Sequence, residues 1–350
     1  MKKKDIVNLI KYHIDGDDNA FREQVYNLAN EFSNTGDKEL ASYLINLVSD
    51  VSTIVPMSSE VKTIGFLEQV ALSREPLYLP EAISNDLKGV IEAVNKGIGI
   101  NKFLFYGAPG TGKTEAISSV ARILKKDVWK VNISELIDSK LGATAKNIES
   151  LFSSINEYPY KKRMLVLFDE IDALALRRSD SRDLREMSRA TTELFQGLDG
   201  LSKDVVLFAT TNLYNEFDSA LSRRFFAKIN FSRYTPQDLI DIGVRLFDKQ
   251  SSIIEGFNPN LRLVRKILSI PPTLPYPGEL KNLAFTSIAF SDLKKEGGVY
   301  ARLLLGVFEN APIQDIGWLS SKGFTTREIQ AISGISKSEV SRRLKNEPKN

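Results

Sequence analysis

The spacing of apolar residues changes twice along this chain of 350 residues. Before residue 50 they recur three and four apart: Ile6, Leu9 and Ile10, then Phe21, Val25, Leu28 and Ala29, then Leu40, Tyr43, Leu44 and Leu47. That period predicts a helical unit over residues 1–50. Gly16 and Asp17 part its first helix from the second, and Gly36 parts the second from the third. Such a unit serves either to dock a partner or to pack against the next domain. Residues 51–62 carry Ser, Thr and Pro without a period and read as a linker. From Thr63 onward short apolar runs alternate with helical stretches. The runs are Lys102–Tyr106 (KFLFY), Val128–Ile133, Met164–Phe168 (MLVLF) and Val205–Thr210. This alternation predicts an α/β unit over residues 63–232, with a parallel sheet covered on both faces. No strand is expected beyond Phe231. Residues 233–311 read as a smaller helical domain broken by the loop PPTLPYPG, and residues 312–350 as a separate tail.

Composition narrows the chemistry. With 42% hydrophobic and 26% charged residues the chain can bury a substantial core. A net charge of +3 is too small to argue nucleic-acid binding from bulk charge. There is no cysteine, so disulfides, thiolate catalysis and cysteine metal sites are excluded. The single histidine, His13, has no neighbouring ligand type and is expected to pack or face solvent. The MKKK start is followed by DIVNLIKYHIDGDD, too charged for a signal peptide, and no run is long enough to span a membrane. A cytoplasmic location is therefore expected.

The chemistry concentrates in the strand–helix region. GAPGTGKT (Gly107, Ala108, Pro109, Gly110, Thr111, Gly112, Lys113, Thr114) lies between the run KFLFY and the helical stretch EAISSVARIL. Its glycines allow turns that aim backbone N–H groups at phosphate, and the helix start adds a positive end. Lys113 can reach the β- and γ-phosphates and Thr114 can ligate Mg²⁺. In LVLFDEID (Leu165–Asp172) an apolar strand ends in two acids. Asp169 is placed to hold Mg²⁺ through water, and Glu170 to act as a base on the attacking water. FATTN (Phe208–Asn212) ends the next strand with an amide able to position that water. In DSALSRRF (Asp218–Phe225), Arg223 and Arg224 close a helix. A helix C-terminus tolerates cations in any case. Alternatively, one or both arginines enter the site of an adjacent subunit.

Taken in order, GAPGTGKT, LVLFDEID, LDGL (Leu198–Leu201), FATTN and DSALSRRF resemble the AAA clade of AAA+ ATPases over residues 63–305. The resemblance implies a Rossmann-like P-loop ATPase core with a helical lid, and a homo-oligomeric ring, usually of six subunits, with ATP and Mg²⁺ at each interface. It implies Lys113 and Thr114 as Walker A, Asp169 and Glu170 as Walker B, Asn212 as sensor 1, and Arg223 and Arg224 as finger positions. It also implies Asp199 and Gly200 as the intersubunit signalling motif, and Gly278 and Glu279 as the start of the lid helix that touches the nucleotide. One segment departs from the family. SKLGATAKNIESLF (Ser139–Phe152) resembles the first pore loop, but Lys140 precedes Leu141 and Gly142 where the family has an aromatic residue. Either Lys140 grips an acidic substrate or nucleic acid, or the protein does not thread. RRSDSRDLRE (Arg177–Glu186) lies where a second pore-facing loop falls, and its mixed charge equally suits a solvated loop.

FTTREIQAISGISKSEVSRRLK (Phe324–Lys345) resembles a helix-turn-helix, with Ile329, Gly334, Ile335 and Val340 at the packing positions. Ser336, Lys337, Ser338, Ser341, Arg342 and Arg343 would then offer donors to DNA. Gln330 and Ser333 depart from the pattern, and a two-helix cap is the competing reading. Three outputs of hydrolysis are compatible with these features. The first is remodelling or regulation of a protein partner. In layout the chain is similar to bacterial AAA ATPases found beside a subtilisin-like protease. The second is a DNA-associated role, as in plasmid maintenance, transposition or phage defence. The third is a nucleotide-gated scaffold, against which the intact Asp169–Glu170 pair and both arginines stand.

Overall fold

The structure is a computed structural model. It describes residues 63–346 except 74, 138–142, 176–182, 255 and 293–297, with backbone only at 175 and 183–188, and scattered positions of residues 7–40. Lys140, Leu141, Gly142, most of Arg177–Glu186, His13 and the linker 51–62 lie outside the described residues. The chain divides into two compact units, residues 1–60 and 61–350. In the first, the described positions other than Asp37 are helical, and Val25, Leu28 and Ala29 are buried at the expected spacing.

The second unit opens with two short strands, β1 (Thr63–Ile64) and β2 (Leu67–Val70), and helix α1 (Glu81–Asn95). Then follow β3 (Lys102–Tyr106), α2 (Lys113–Ile123), β4 (Asp127–Val131), α3 (Ile133–Leu136) and α4 (Ala143–Glu157). After these come β5 (Met164–Phe168), α5 (Asp172–Ala175), α6 (Asp183–Asp199), β6 (Val206–Thr211), α7 (Ser219–Ser222) and β7 (Ala227–Asn230). The sheet has seven strands in the order β1-β2-β4-β5-β6-β3-β7. Its β4, β5, β6, β3 and β7 are parallel, whereas β1 and β2 add antiparallel to the β4 edge. The strands β1, β2 and β7 carry no long apolar run and were not expected. The Val128–Ile133 run stops being strand at Val131, because Ile133 begins α3.

Continuous apolar runs are needed because both faces are covered. Met164, Val166 and Phe168 of β5 feed one core with α4 and α6, while Leu165 and Leu167 feed the other with α1 and α2. The chain passes from β3 to β4, fills inward through β5 and β6, and then crosses to β7. The C-terminal ends of β3, β6 and β5 therefore lie side by side, with Tyr106 opposite Thr211 and Phe168 opposite Ala209. Loops leaving these ends converge, as ligand sites in open α/β sheets do.

The remaining helices are α8 (Pro236–Ser251), α9 (Leu261–Leu268), α10 (Pro277–Ala289), α11 (Gly298–Val307), α12 (Ile316–Ser321), α13 (Thr326–Ser333) and α14 (Lys337–Asn346). A capping box, Thr235 with Asp238, and Pro236 in the first turn start α8. One apolar cluster runs from Leu239 and Leu263 through Leu280 and Leu304 to Leu319, Ile329 and Val340. Residues after 312 thus complete the same core as the helices before them. Across the turn 334–336, Gly334 adopts φ +73° and its N–H closes on the Gln330 carbonyl. The polar Ser333 fits by donating its hydroxyl to the Ile329 carbonyl, 2.8 Å away.

Candidate functional site

The loop after β3 wraps over the start of α2, so that five residues of Gly107–Thr114 line one cavity with residues from the ends of β5 and β6. About 240 Å³ in volume, it is bounded by Pro109, Gly110, Gly112, Lys113 and Thr114 together with Asp169, Glu170 and Asn212. Gly107 is required by its backbone: at φ +141° a Cβ would lie 2.7 Å from Ser232 Oγ. That same hydroxyl accepts the Ala108 N–H at 3.0 Å, and the Tyr234 hydroxyl donates to the Thr111 carbonyl at 2.8 Å. The segment after β7 therefore braces the loop from outside. Thr111 is fully buried, and its hydroxyl donates to the Ala108 carbonyl at 2.8 Å.

Lys113 is buried, and its ammonium donates to the Gly107 and Ala108 carbonyls at 2.8 and 2.9 Å and to Asn212 Oδ1 at 2.7 Å. Asn212 in turn donates from Nδ2 to Glu170 Oε1 at 3.2 Å. Lysine, amide and carboxylate thus form one chain across the cavity. Burial lowers the Lys113 ammonium from its ordinary value, and the charges of Asp169, Glu170 and Asp172 oppose that shift. Glu170 adopts φ +55°, a left-handed backbone that costs a non-glycine residue about 1 kcal/mol or more. It is held there by its N–H donating to Thr210 Oγ1 at 2.9 Å. Side chains of adjacent residues are thereby sent apart: Glu170 reaches toward Asn212, while Asp169 turns to Thr114.

Asp169 Oδ1 accepts hydroxyls from Thr210 at 2.8 Å and Thr114 at 3.1 Å, and Oδ2 pairs with the Lys130 ammonium at 2.8 Å. Burial alone would raise the Asp169 carboxyl. The Lys130 ammonium and the two hydroxyls outweigh it and hold the group below the usual carboxylate range. A threonine hydroxyl and an aspartate are hard oxygen donors beside a phosphate-sized cavity. This donor set fits Mg²⁺, which takes its other ligands from phosphate and water.

Residues 103–233 match the family model for "ATPase family associated with various cellular activities (AAA)". This region is an AAA ATPase domain. An uncharacterised AAA family ATPase, y4kL, of Sinorhizobium fredii is 38% identical over 133 residues, covering 38% of this chain and 39% of that protein. The mouse ATPase family gene 2 protein homolog B is 34% identical over 164 residues, 46% of this chain and 21% of the relative. The Schizosaccharomyces pombe 26S proteasome regulatory subunit 4 homolog is 35% identical over 125 residues, 34% of this chain and 27% of the relative. The chain therefore spans well under half the length of these relatives. A solved chain from the E. coli MS115-1 HORMA:CdnC:Trip13 complex shares the fold, with a TM-score of 0.52 at 17% identity over 64% of this chain and 87% of that one.

The other expected residues of the AAA domain and its neighbouring helices are placed unequally. A second cavity of about 360 Å³ opens beside the first, sharing Gly110, Gly112 and Glu115 with it. It is walled by Leu77 and Tyr78 on one side and by Ile242, Leu246 and Gly278 on the other. Gly278 touches the loop directly, its N–H donating to the Gly110 carbonyl at 2.8 Å. Glu279 is exposed and lines neither cavity; Lys281 and Lys249 line the second one and both pair with Glu75, at 2.9 and 3.2 Å. Those three, like Tyr234 and Lys130, carry no local sequence signal. Arg223 and Arg224 line neither cavity of their own chain. Arg224 is held in place: it donates to the Ala220 carbonyl at 2.7 Å, pairs with Asp199 at 3.2 Å and stacks 4.0 Å from the Phe195 ring. Arg223 is exposed, and its side chain makes no hydrogen bond or ion pair among the described residues. No helix among the described residues is long and apolar enough to cross a membrane.

Proposed function

We propose that the chain hydrolyses MgATP at the subunit interfaces of a homo-oligomeric ring, six-membered by family resemblance, and uses the cycle to remodel or regulate a protein partner. The observation that carries this reading is the hydrogen-bonded chain Lys113–Asn212–Glu170 beside Asp169 and Thr114, at the meeting of three strand ends. The loop amides and Lys113 bind the phosphates. Thr114 and Asp169 would hold Mg²⁺, which would supply positive charge to the phosphates. Asn212 positions a water and Glu170 takes its proton. The exposed Arg223 enters the neighbouring site, with Arg224 bracing it. The proteasome regulatory subunit among the relatives favours a protein partner, and a subtilisin-like protease is the candidate that the overall layout suggests.

Purified protein with Mg²⁺ and ATP, with and without a co-purifying partner, is expected to release phosphate, and Lys113→Ala to lose both binding and turnover. Absence of nucleotide binding and turnover in the natural protein under all these conditions would overturn the reading.

A DNA-associated role is the alternative, favoured by the exposed Ser336, Lys337 and Ser338 at the start of α14. Against it, Arg342 and Arg343 both pair with Glu339, at 2.6 and 2.7 Å. Removing the tail would strip Leu319, Ile329 and Val340 from the shared core, so surface changes are the proper test. If DNA is the partner, duplex DNA stimulates ATP turnover and Lys337→Glu with Arg342→Glu abolishes the stimulation. No response to DNA removes this alternative.

A further inference from the structure

The Lys130 ammonium sits 2.8 Å from Asp169 Oδ2, in the place of a cation. The other carboxylate oxygen is already taken by the hydroxyls of Thr210 and Thr114. A divalent ion brought in on a nucleotide and held from the Asp169 side would therefore meet an ammonium already there. Two cations sharing one carboxylate repel, so either the lysine moves or the ion binds weakly.

The sheet offers a place to move to. Lys130 on β4 is directly opposite Glu68 on β2 in the antiparallel register, so their side chains share one face of the sheet. Glu68 is exposed and makes no ion pair among the described residues. Glu68, Lys130, Asn132 and Asp169 line a common cavity of about 200 Å³, and Asp169 is also a wall of the phosphate cavity. The lysine side chain is 44% exposed against 18% for Asp169. It can therefore swing through a wet cavity without breaking the core.

We propose that Lys130 is a positioning cation that alternates between Asp169 and Glu68, yielding Asp169 when a metal-bound nucleotide enters, so that strand β2, which lies between β1 and β4, registers the occupancy of the site. In the empty site Lys130 holds the Asp169 carboxylate in its ligating orientation. In the filled site it completes a cross-strand pair that tightens β2 onto β4. This rests on the MgATP reading of the cavity.

The test uses the full chain and a fluorescent non-hydrolysable ATP analogue, with affinity measured by anisotropy in Mg²⁺ and again in EDTA. The readout is the factor by which Mg²⁺ tightens binding. Lys130→Met is expected to raise that factor about three- to fivefold, since a half-exposed ion pair no longer competes. Glu68→Gln is expected to lower it about twofold, because the lysine loses its second partner. In the Lys130→Met background Glu68→Gln should have no effect, and Lys130→Arg should stay close to the natural protein. An unchanged factor in Lys130→Met, or a Glu68→Gln effect that persists without the lysine, overturns the proposal. If the natural protein binds the analogue in neither condition, the nucleotide reading itself falls and this proposal with it.

Discussion

Arg223 and Arg224 are adjacent and identical in charge, yet the structure separates what each does, and the separation can be measured. Replacing Arg224 by alanine removes a charge-assisted hydrogen bond to the Ala220 carbonyl, worth about 1.5 kcal/mol. It also removes the stack on Phe195, worth about 0.5–1 kcal/mol. The ion pair to Asp199 adds only about 0.5 kcal/mol, because Asp199 is 57% exposed. Arg224 Nε is buried without a partner among the described residues, and its removal returns some of this. The net cost is about 2 kcal/mol, a melting temperature lower by about 3 °C. Arg223→Ala removes no such contact and should leave the melting temperature within about 1 °C. Its cost should appear in turnover, as a loss of about 10³-fold with MgATP binding intact. Mixing Arg223→Ala with Lys113→Ala subunits should restore part of the rate, since one supplies sites and the other supplies arginines. Equal melting temperatures for the two variants would refute the contact reading. Normal turnover by Arg223→Ala, or no recovery on mixing, would refute the assignment of Arg223 to the neighbouring site.

Three further outcomes follow from the same geometry. Glu170→Gln keeps the Asn212 contact but cannot accept a proton; it should bind ATP and accumulate as an assembled ring by sedimentation, and a monomer at saturating ATP would contradict the interface model. Gly107→Ala places a methyl 2.7 Å from Ser232 Oγ and 3.0 Å from Ser232 N, so the loop must shift; ATP affinity measured by calorimetry should fall at least tenfold, and an unchanged affinity would show that the brace is not needed. Burial would raise the Glu328 carboxyl, but Lys266 and Thr325 outweigh it and hold it below the ordinary glutamate range. A depressed acid stabilises above its unfolded pKa and loses that contribution as pH falls through the folded value. Glu328→Gln should therefore cost about 1 kcal/mol by urea denaturation at pH 7, with the deficit shrinking below about pH 4; a deficit independent of pH would contradict this.

Much of the candidate site was legible along the chain because its motifs are local. A strand, a glycine loop and a helix start must be consecutive to turn amides inward, so GAPGTGKT between KFLFY and EAISSVARIL needs no long-range information. The acids Asp169 and Glu170 are legible for the same reason, being the two residues that end a wholly apolar strand. The short strands β1 and β2 were not legible: with two and four residues they carry no distinctive period. The division of labour between Asp169 and Glu170 depends on a left-handed backbone held by Thr210, forty positions away from Glu170. The pairing of Lys130 with Asp169 and its opposition to Glu68 depend on strand register, which places residues on one face or the other and cannot be read from either segment alone. The difference between Arg223 and Arg224 arises because Arg224 packs on Phe195 and Asp199 of α6 while Arg223 is exposed. The merging of the tail into the core of the preceding helices follows from which apolar faces meet. Motif and period thus determined β3, β4, β5 and β6 and which residues gather at the candidate site. Register and packing decided which charges face one another, because those are distances through space between residues far apart in the chain.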